Sequence, residues 1–349
     1  ILATHLGGTE SKYLEILSAQ GTRYAEIARH VPAATWTEIE NDMRKGIDGD
    51  GKRRWYGLFA ESDPLRTYPN RTLASNVVGF VNGEGKGAAG LEGMLDSQLA
   101  GIPGQEVYER STYGRIPLGI SVLTPPVNGA SYSLTLDADL QWSAEQALAD
   151  GIATAGAKTG SILVMNPNNG EILALATAPS FDSANPGVTD AGNLGNRTVT
   201  EAYEPGSTEK VLTMAALTDS GLATPDTKVD VPASIASGSG TVTDSFEHGR
   251  LKLTVRGVVA QSSNIGTIKL ARQMDKGKLH EYLTSFGLGS APGSGLPAET
   301  AGSLPGADMA DYTRDQISFG QGLSVSVVQM GAALSAVVNG GTYHQPQII

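Results

Sequence analysis

The chain has 349 residues, a net charge of −11, 44 glycines, no cysteine and 17% charged side chains. That length allows one to three domains with a substantial core. The acidic balance, with Lys52-Arg53-Arg54 as its longest basic run, excludes nucleic acid as an expected partner, and zero cysteine excludes disulfides, thiolate nucleophiles and cysteine metal ligands.

Residues 1 to about 60 mix helical patterns, at Tyr13 to Leu17 and Trp36 to Glu40, with a glycine-rich charged segment, Lys45 to Gly51, that reads as a loop. No targeting signal precedes them, so the start reads as a cut inside a longer protein. From 67 to 128 the apolar runs are short, and Ile116 to Pro126 reads as extended connections. A domain boundary is expected near 128.

Beyond it, Tyr132 to Leu136 alternates like a half-buried strand, and Asp137 to Asp150 has helical spacing that places Leu140, Ala144, Ala147 and Leu148 on one face. Ser161 to Met165 and Glu171 to Ala176 flank Asn166-Pro167-Asn168-Asn169-Gly170, whose Asn-Gly predicts a hairpin, antiparallel and largely buried. Ala236 to Gly240 is a low-complexity stretch short enough to be a loop. The longest uncharged stretch, Gln316 to Ile349, predicts a buried helix and not a membrane span, which wants about 20 mostly apolar residues.

The chemistry concentrates at Pro205-Gly206-Ser207-Thr208-Glu209-Lys210, followed by apolar residues at helical spacing. Proline and glycine place Ser207 at a helix N-terminus, and at 3.6 residues per turn Ser207, Lys210, Val211 and Met214 share a face. A serine hydroxyl needs a base, and a lysine serves if burial or positive charge lowers its pKa. The helix N-terminus suits a developing oxyanion. Further on, Ser262-Ser263-Asn264 offers a second hydroxyl and a carboxamide, whereas Ser183-Ala184-Asn185 precedes the Ser-x-x-Lys and reads as a loop.

A Ser-x-x-Lys followed by Ser-Asp-Asn and Lys-Thr-Gly marks penicillin-binding proteins and class A β-lactamases. Order and separation of the first two fit here, with Ser263 in the middle position. The chain resembles a class B penicillin-binding protein, the division-type peptidoglycan D,D-transpeptidase. Arg66 to Pro69, Ala74 to Val81, Gly90 to Gly93 and Arg110 to Gly114 resemble that family's pedestal. Val164 to Asp182, Tyr203 to Ser207 and Gly320-Gln321-Gly322 through Gly341 resemble its catalytic domain.

The resemblance implies an α/β fold of the α+β type. A mixed pedestal, a dimerisation-type domain at 1–128, would precede a transpeptidase domain at 129–349 with an antiparallel sheet flanked by helices. It implies Ser207 as the acylated nucleophile, Lys210 as its base, Ser262 as proton shuttle to the departing D-alanine, and Asn264 as a ligand of Lys210 and of the substrate amide. Peptidoglycan stem peptides, β-lactams and membrane-embedded division proteins are the implied partners. The implied place is outside the cytoplasmic membrane, with a single-pass anchor preceding this chain, and no cofactor is implied. A non-catalytic division scaffold and a D,D-carboxypeptidase are the alternatives.

Two departures stand out. The family's third motif is expected after Asn264, yet the only Lys-Thr-Gly is Lys158-Thr159-Gly160, read as a turn before a strand, so the chain reads as truncated before that motif. Glu209 replaces a small or apolar residue; about 200° around the helix from Ser207, it is expected to point away and to pack or form a salt link. Reaching Lys210 instead, it would hold the amine charged. His5, His30, His248, His280 and His344 have no metal-ligand spacing, so no metal is expected, and Asp48 and Asp50 read as solvated.

Overall fold

The computed structural model describes residues 1–21, 24–45, 58–61, 65–111, 114–116 and 121–349. They pack as two units, Ile1–Thr67 and Tyr68–Ile349. In the first, α1 (Leu2–Leu6), α2 (Glu10–Ser18) and α3 (Ala33–Lys45) bury Leu2, Tyr13, Ile39 and Met43. Thr9 caps α2 by accepting from Lys12 N. Both expected helical patterns lie in α2 and α3; residues 46–51, with Asp48 and Asp50, lie outside the described residues.

The second unit opens with α4 (Ser75–Val78), β1 (Phe80–Val81), β2 (Gly87–Ala89), α5 (Gly90–Met94) and α6 (Asp96–Leu99). An antiparallel ribbon of β3 (Gln105–Tyr108) and β6 (Ser121–Thr124) follows, with the short pair β4 (Arg110–Ser111) and β5 (Gly114–Arg115) between them. Part of the expected extended connection is therefore strand β6; residues 117–120 lie outside the described residues. Tyr132 to Leu136 is not a strand. Its backbone bonds are isolated, Thr135 N to Ile348 O at 3.0 Å and Asp137 N to Leu173 O at 2.9 Å, and Leu134 and Leu136 account for the apolar alternation by packing on the core.

Asp137 caps α7 (Ala138–Ala155) by accepting from Leu140 N. The helix buries Gln141, Ala144 and Leu148, while Ala147 is exposed, correcting the predicted face. Ala147 lies about 120° around the helix from Gln141, beyond the edge of the buried stripe. Gln141 is buried because its carboxamide serves the neighbouring strand, accepting from Leu175 N at 2.7 Å and donating to Leu175 O at 3.1 Å.

The predicted hairpin is β7 (Gly160–Met165) against β8 (Ile172–Ala178), closed by a turn in which Gly170 has φ 80°. Strand β8 is buried and β7 half-buried. Ala174 and Ala176 pack with Ala144 and Leu148 of α7, and Leu175 joins the cluster that holds Val328. Helices thus flank an antiparallel pair with two apolar faces. Lys158 and Thr159 connect α7 to β7, the turn expected for them.

Next come α8 (Arg197–Thr200), a 3₁₀ turn at Gly206–Thr208 and α9 (Lys210–Asp219). Strand β9 (Lys228–Val231) pairs with β12 (Leu251–Thr254), and between them β10 (Ile235–Ser237) pairs with β11 (Gly240–Val242), a tight hairpin where a loop was expected. Gly238, at φ 58°, supplies its turn. Helices α10 (Val255–Gln261), α11 (Asn264–Ala271), α12 (Lys276–Ser285), α13 (Asp311–Ile317) and α14 (Val327–Val338) complete the chain. Leu212 and Leu217 of α9 anchor the largest core cluster with Ile265, Leu270, Leu279, Leu283 and Ile317. The buried helix predicted after Gln316 is α14. Among the described residues no helix is long and apolar enough to cross a membrane.

Candidate active site

The segment carrying Ser207 is pinned to the stretch after α13. Tyr203 and Val325 exchange backbone hydrogen bonds at 2.9 Å, Glu204 Oε1 accepts from Gly322 N at 2.9 Å, and Gly206 N donates to Gly320 O at 2.9 Å. Gly320 has φ 87°, and a Cβ there would sit 1.9 Å from Gly206 O, so only glycine permits this approach. Gly320-Gln321-Gly322 is thus a strut for the serine turn. Ser207 is exposed on the 3₁₀ turn, and α9 begins at Lys210, one turn later than a helix starting at the serine would.

Lys210 is buried, and its side chain meets the second motif. Nζ donates to Ser262 O at 2.6 Å, Ser262 Oγ at 3.1 Å and Asn264 Oδ1 at 2.7 Å. The structure therefore brings Lys210, Ser262 and Asn264 together; Ser207 lies on the same turn, but its hydroxyl has no hydrogen bond among the described residues. Burial pulls the Lys210 ammonium down to about 8, against the opposing influence of the Asp244 and Glu209 carboxyl groups. A lysine so placed holds a sizeable neutral fraction near neutral pH, as a base must.

Helix geometry builds the second motif. Ser262 ends α10 in the left-handed conformation at φ 53°, which turns its carbonyl and hydroxyl towards Lys210. Ser263 caps α11, accepting from Gly266 N at 2.9 Å. Asn264 donates from Nδ2 to Thr243 O at 3.1 Å, which orients Oδ1 towards the lysine. Ser262 and Asn264 thus serve as helix-end elements and as lysine ligands.

Glu209 points away from this cluster and is fully buried, with Thr213 Oγ1 donating to it at 2.9 Å. No salt link forms among the described residues. Burial pushes its carboxyl well above the usual carboxylate range, towards the neutral acid.

Sequence reading missed Asp244. Its carboxylate accepts from Ser263 Oγ at 2.7 Å and Ile265 N at 2.9 Å and is paired with His248 Nε2 at 3.1 Å. A hairpin strand and a helix separate it from the motif it serves, and no local pattern announces it. Ser183-Ala184-Asn185 lies in a loop, as expected. No group of three metal ligands occurs among the described residues.

A hydroxyl one turn before a buried lysine of lowered pKa, with a second serine and a carboxamide on its ammonium, is equipped for acyl transfer through an ester. Comparisons with known proteins identify the family. The penicillin binding protein transpeptidase domain family matches residues 160–349, and the penicillin-binding protein dimerisation domain family matches residues 1–134. Penicillin-binding protein PbpB of Mycolicibacterium smegmatis is 38% identical over 293 residues, 83% of this chain and 45% of that protein. Peptidoglycan D,D-transpeptidase FtsI of Escherichia coli is 31% identical over 307 residues, 88% of this chain and 51% of its own. The chain thus spans about half the length of these relatives. Penicillin-binding protein 3 of Mycobacterium tuberculosis complexed with ampicillin superposes with a TM-score of 0.73 at 36% identity, covering 82% of this chain and 60% of that one. With the transpeptidase family matching more than half of its residues, the chain belongs to the class B penicillin-binding proteins.

Proposed function

We propose that the whole protein is a serine-type peptidoglycan D,D-transpeptidase that cross-links stem peptides during division and is acylated by β-lactams, with Ser207, Lys210, Ser262 and Asn264 as its catalytic residues. Ser207 Oγ attacks the penultimate carbonyl of a D-alanyl-D-alanine stem, and its proton passes to neutral Lys210. The tetrahedral centre collapses as the C–N bond breaks, Ser262 relays a proton to the departing D-alanine, and Asn264 holds the substrate amide. An amine of a second stem then attacks the ester, forms the new amide and returns the proton to Ser207. Residues 1–128 serve as the pedestal and 129–349 as the catalytic domain.

The observation that carries this reading is the lysine's three short contacts to Ser262 and Asn264 from the helix that Ser207 leads into. Relatives named for peptidoglycan transpeptidation support the reaction. Anchorage in the cytoplasmic membrane with the site outside it, and membrane-embedded division partners, belong to the same proposal, since the substrate lies there. Intact mass of the whole protein after exposure to benzylpenicillin tests it: a stable adduct is expected in the parent and none in Ser207→Ala. No adduct in the parent would favour the non-catalytic scaffold; shortened monomer in place of cross-linked product would mean a D,D-carboxypeptidase.

A further inference from the structure

The Asp244 side chain is 0% exposed and that of His248 6%. A carboxylate buried so completely is strongly penalised unless it is paired and hydrogen-bonded. Asp244 satisfies the second condition through Ser263 Oγ and Ile265 N, which lets it cap α11 beside Ser263 and fix the turn that carries Ser262 and Asn264. The side chain positioned to meet the first is His248, with Nε2 at 3.1 Å from Oδ2. Its other nitrogen, Nδ1, lies 2.6 Å from Gly249 O, and the Phe246 ring packs beside it at 5.0 Å between centroids. Both ring nitrogens thus face acceptors. A neutral imidazole has one N–H and would set a lone pair against an oxygen; the doubly protonated ring donates to both.

We propose that His248 is the counter-ion of Asp244, and that the pair positions the Ser262–Asn264 turn against Lys210 while preventing the carboxylate's charge from fixing the lysine in its protonated form. The proposal rests on Lys210 being the base. Among the described residues the titratable groups acting on Lys210 are Asp244, from the loop between β11 and β12, and Glu209, from the turn before α9, whose burial favours its neutral form. From α11 comes the neutral Asn264 and from the end of α10 the neutral Ser262. Asp244 organises the site best as a carboxylate, yet an unbalanced carboxylate there favours the ammonium; a cation against its Oδ2 reconciles the two demands.

The test is the pH dependence of acylation by a fluorescent penicillin in the whole protein, for the parent, Asp244→Asn, His248→Gln and the double variant. Loss of the imidazolium moves the rising limb to higher pH by about one unit, loss of the carboxylate moves it to lower pH by about as much, and the double variant returns near the parent. Variants that slow acylation by one factor at every pH, with unmoved limbs, would overturn the proposal, since a purely structural role predicts that. Nitrogen-15 spectra of the His248 ring in the parent decide the matter even if a variant fails to fold. Two protonated nitrogens at neutral pH support the counter-ion, and one unprotonated nitrogen overturns it. A parent that forms no adduct on Ser207 overturns the acyl-enzyme reading itself, whereas an acylating parent with unmoved limbs overturns only the counter-ion.

Discussion

Lys210 Nζ stands 2.7 Å from Asn264 Oδ1, while the same carboxamide donates from Nδ2 to Thr243 O at 3.1 Å. The amide's direction is therefore set by the strand-side carbonyl, and its acceptor is aimed at the lysine. Asn264→Asp would replace that acceptor by a charge, hold Lys210 as ammonium, and move the rising limb of acylation to higher pH by about one to two units. Stopped-flow acylation across pH checks this; an unmoved limb would refute it.

As the proposed base, Lys210 can take the serine proton only when neutral, and its ammonium is pulled down to about 8. The acylation rate should be maximal above that value and fall about tenfold per pH unit below it, because the reactive fraction halves at the pKa and then declines with proton concentration. Lys210→Ala should lower the rate by at least about a hundredfold and remove the rising limb.

Glu209 offers a stability test. Its folded pKa is raised above the unfolded value, so folding takes up protons and stability is lost as pH rises through the folded value. Glu209→Gln should match the parent well below the unfolded glutamate value, where both states hold a neutral acid, and become progressively more stable than it as pH rises past that value. Thermal melts of both proteins across that range are the measurement, and parallel curves would count against the buried acid.

Gly320→Ala should destabilise the fold and slow acylation together. A Cβ would sit 1.9 Å from Gly206 O on a residue with φ 87°. Left-handed strain alone costs about 1–2 kcal/mol, and relief of the clash must displace the Ser207 turn. A variant with parental melting and acylation would show that the strut is dispensable.

Ser207→Ala, in contrast, should leave the melting temperature within about a degree or two of the parent while abolishing the penicillin adduct, since an exposed hydroxyl with no hydrogen bond among the described residues carries little stability.

Helix α7 and the Asn-Gly hairpin were legible in the chain because each is written in neighbouring residues: a period or a turn acts over a few positions. Even there the limit shows. A pattern that places Ala147 inside cannot know that Gln141 will be drawn in by Leu175, because the partner arrives from 34 residues away. Tyr132 to Leu136 has a strand's alternation but lacks a neighbouring ladder, so its leucines pack without a sheet.

The sequence alone determined which groups could carry the chemistry, since residue type fixes the hydroxyl, the amine and the carboxamide that a serine, a lysine and an asparagine offer. Tertiary structure decided how they are used. It turned Lys210 to Ser262 and Asn264, buried Glu209 behind the helix, brought Gly320 against Gly206, and set Asp244 beneath Ser263 from 19 residues upstream. Those relationships depend on which helices share a core, and burial there, more than residue identity, moves the lysine towards a base and the glutamate towards a neutral acid.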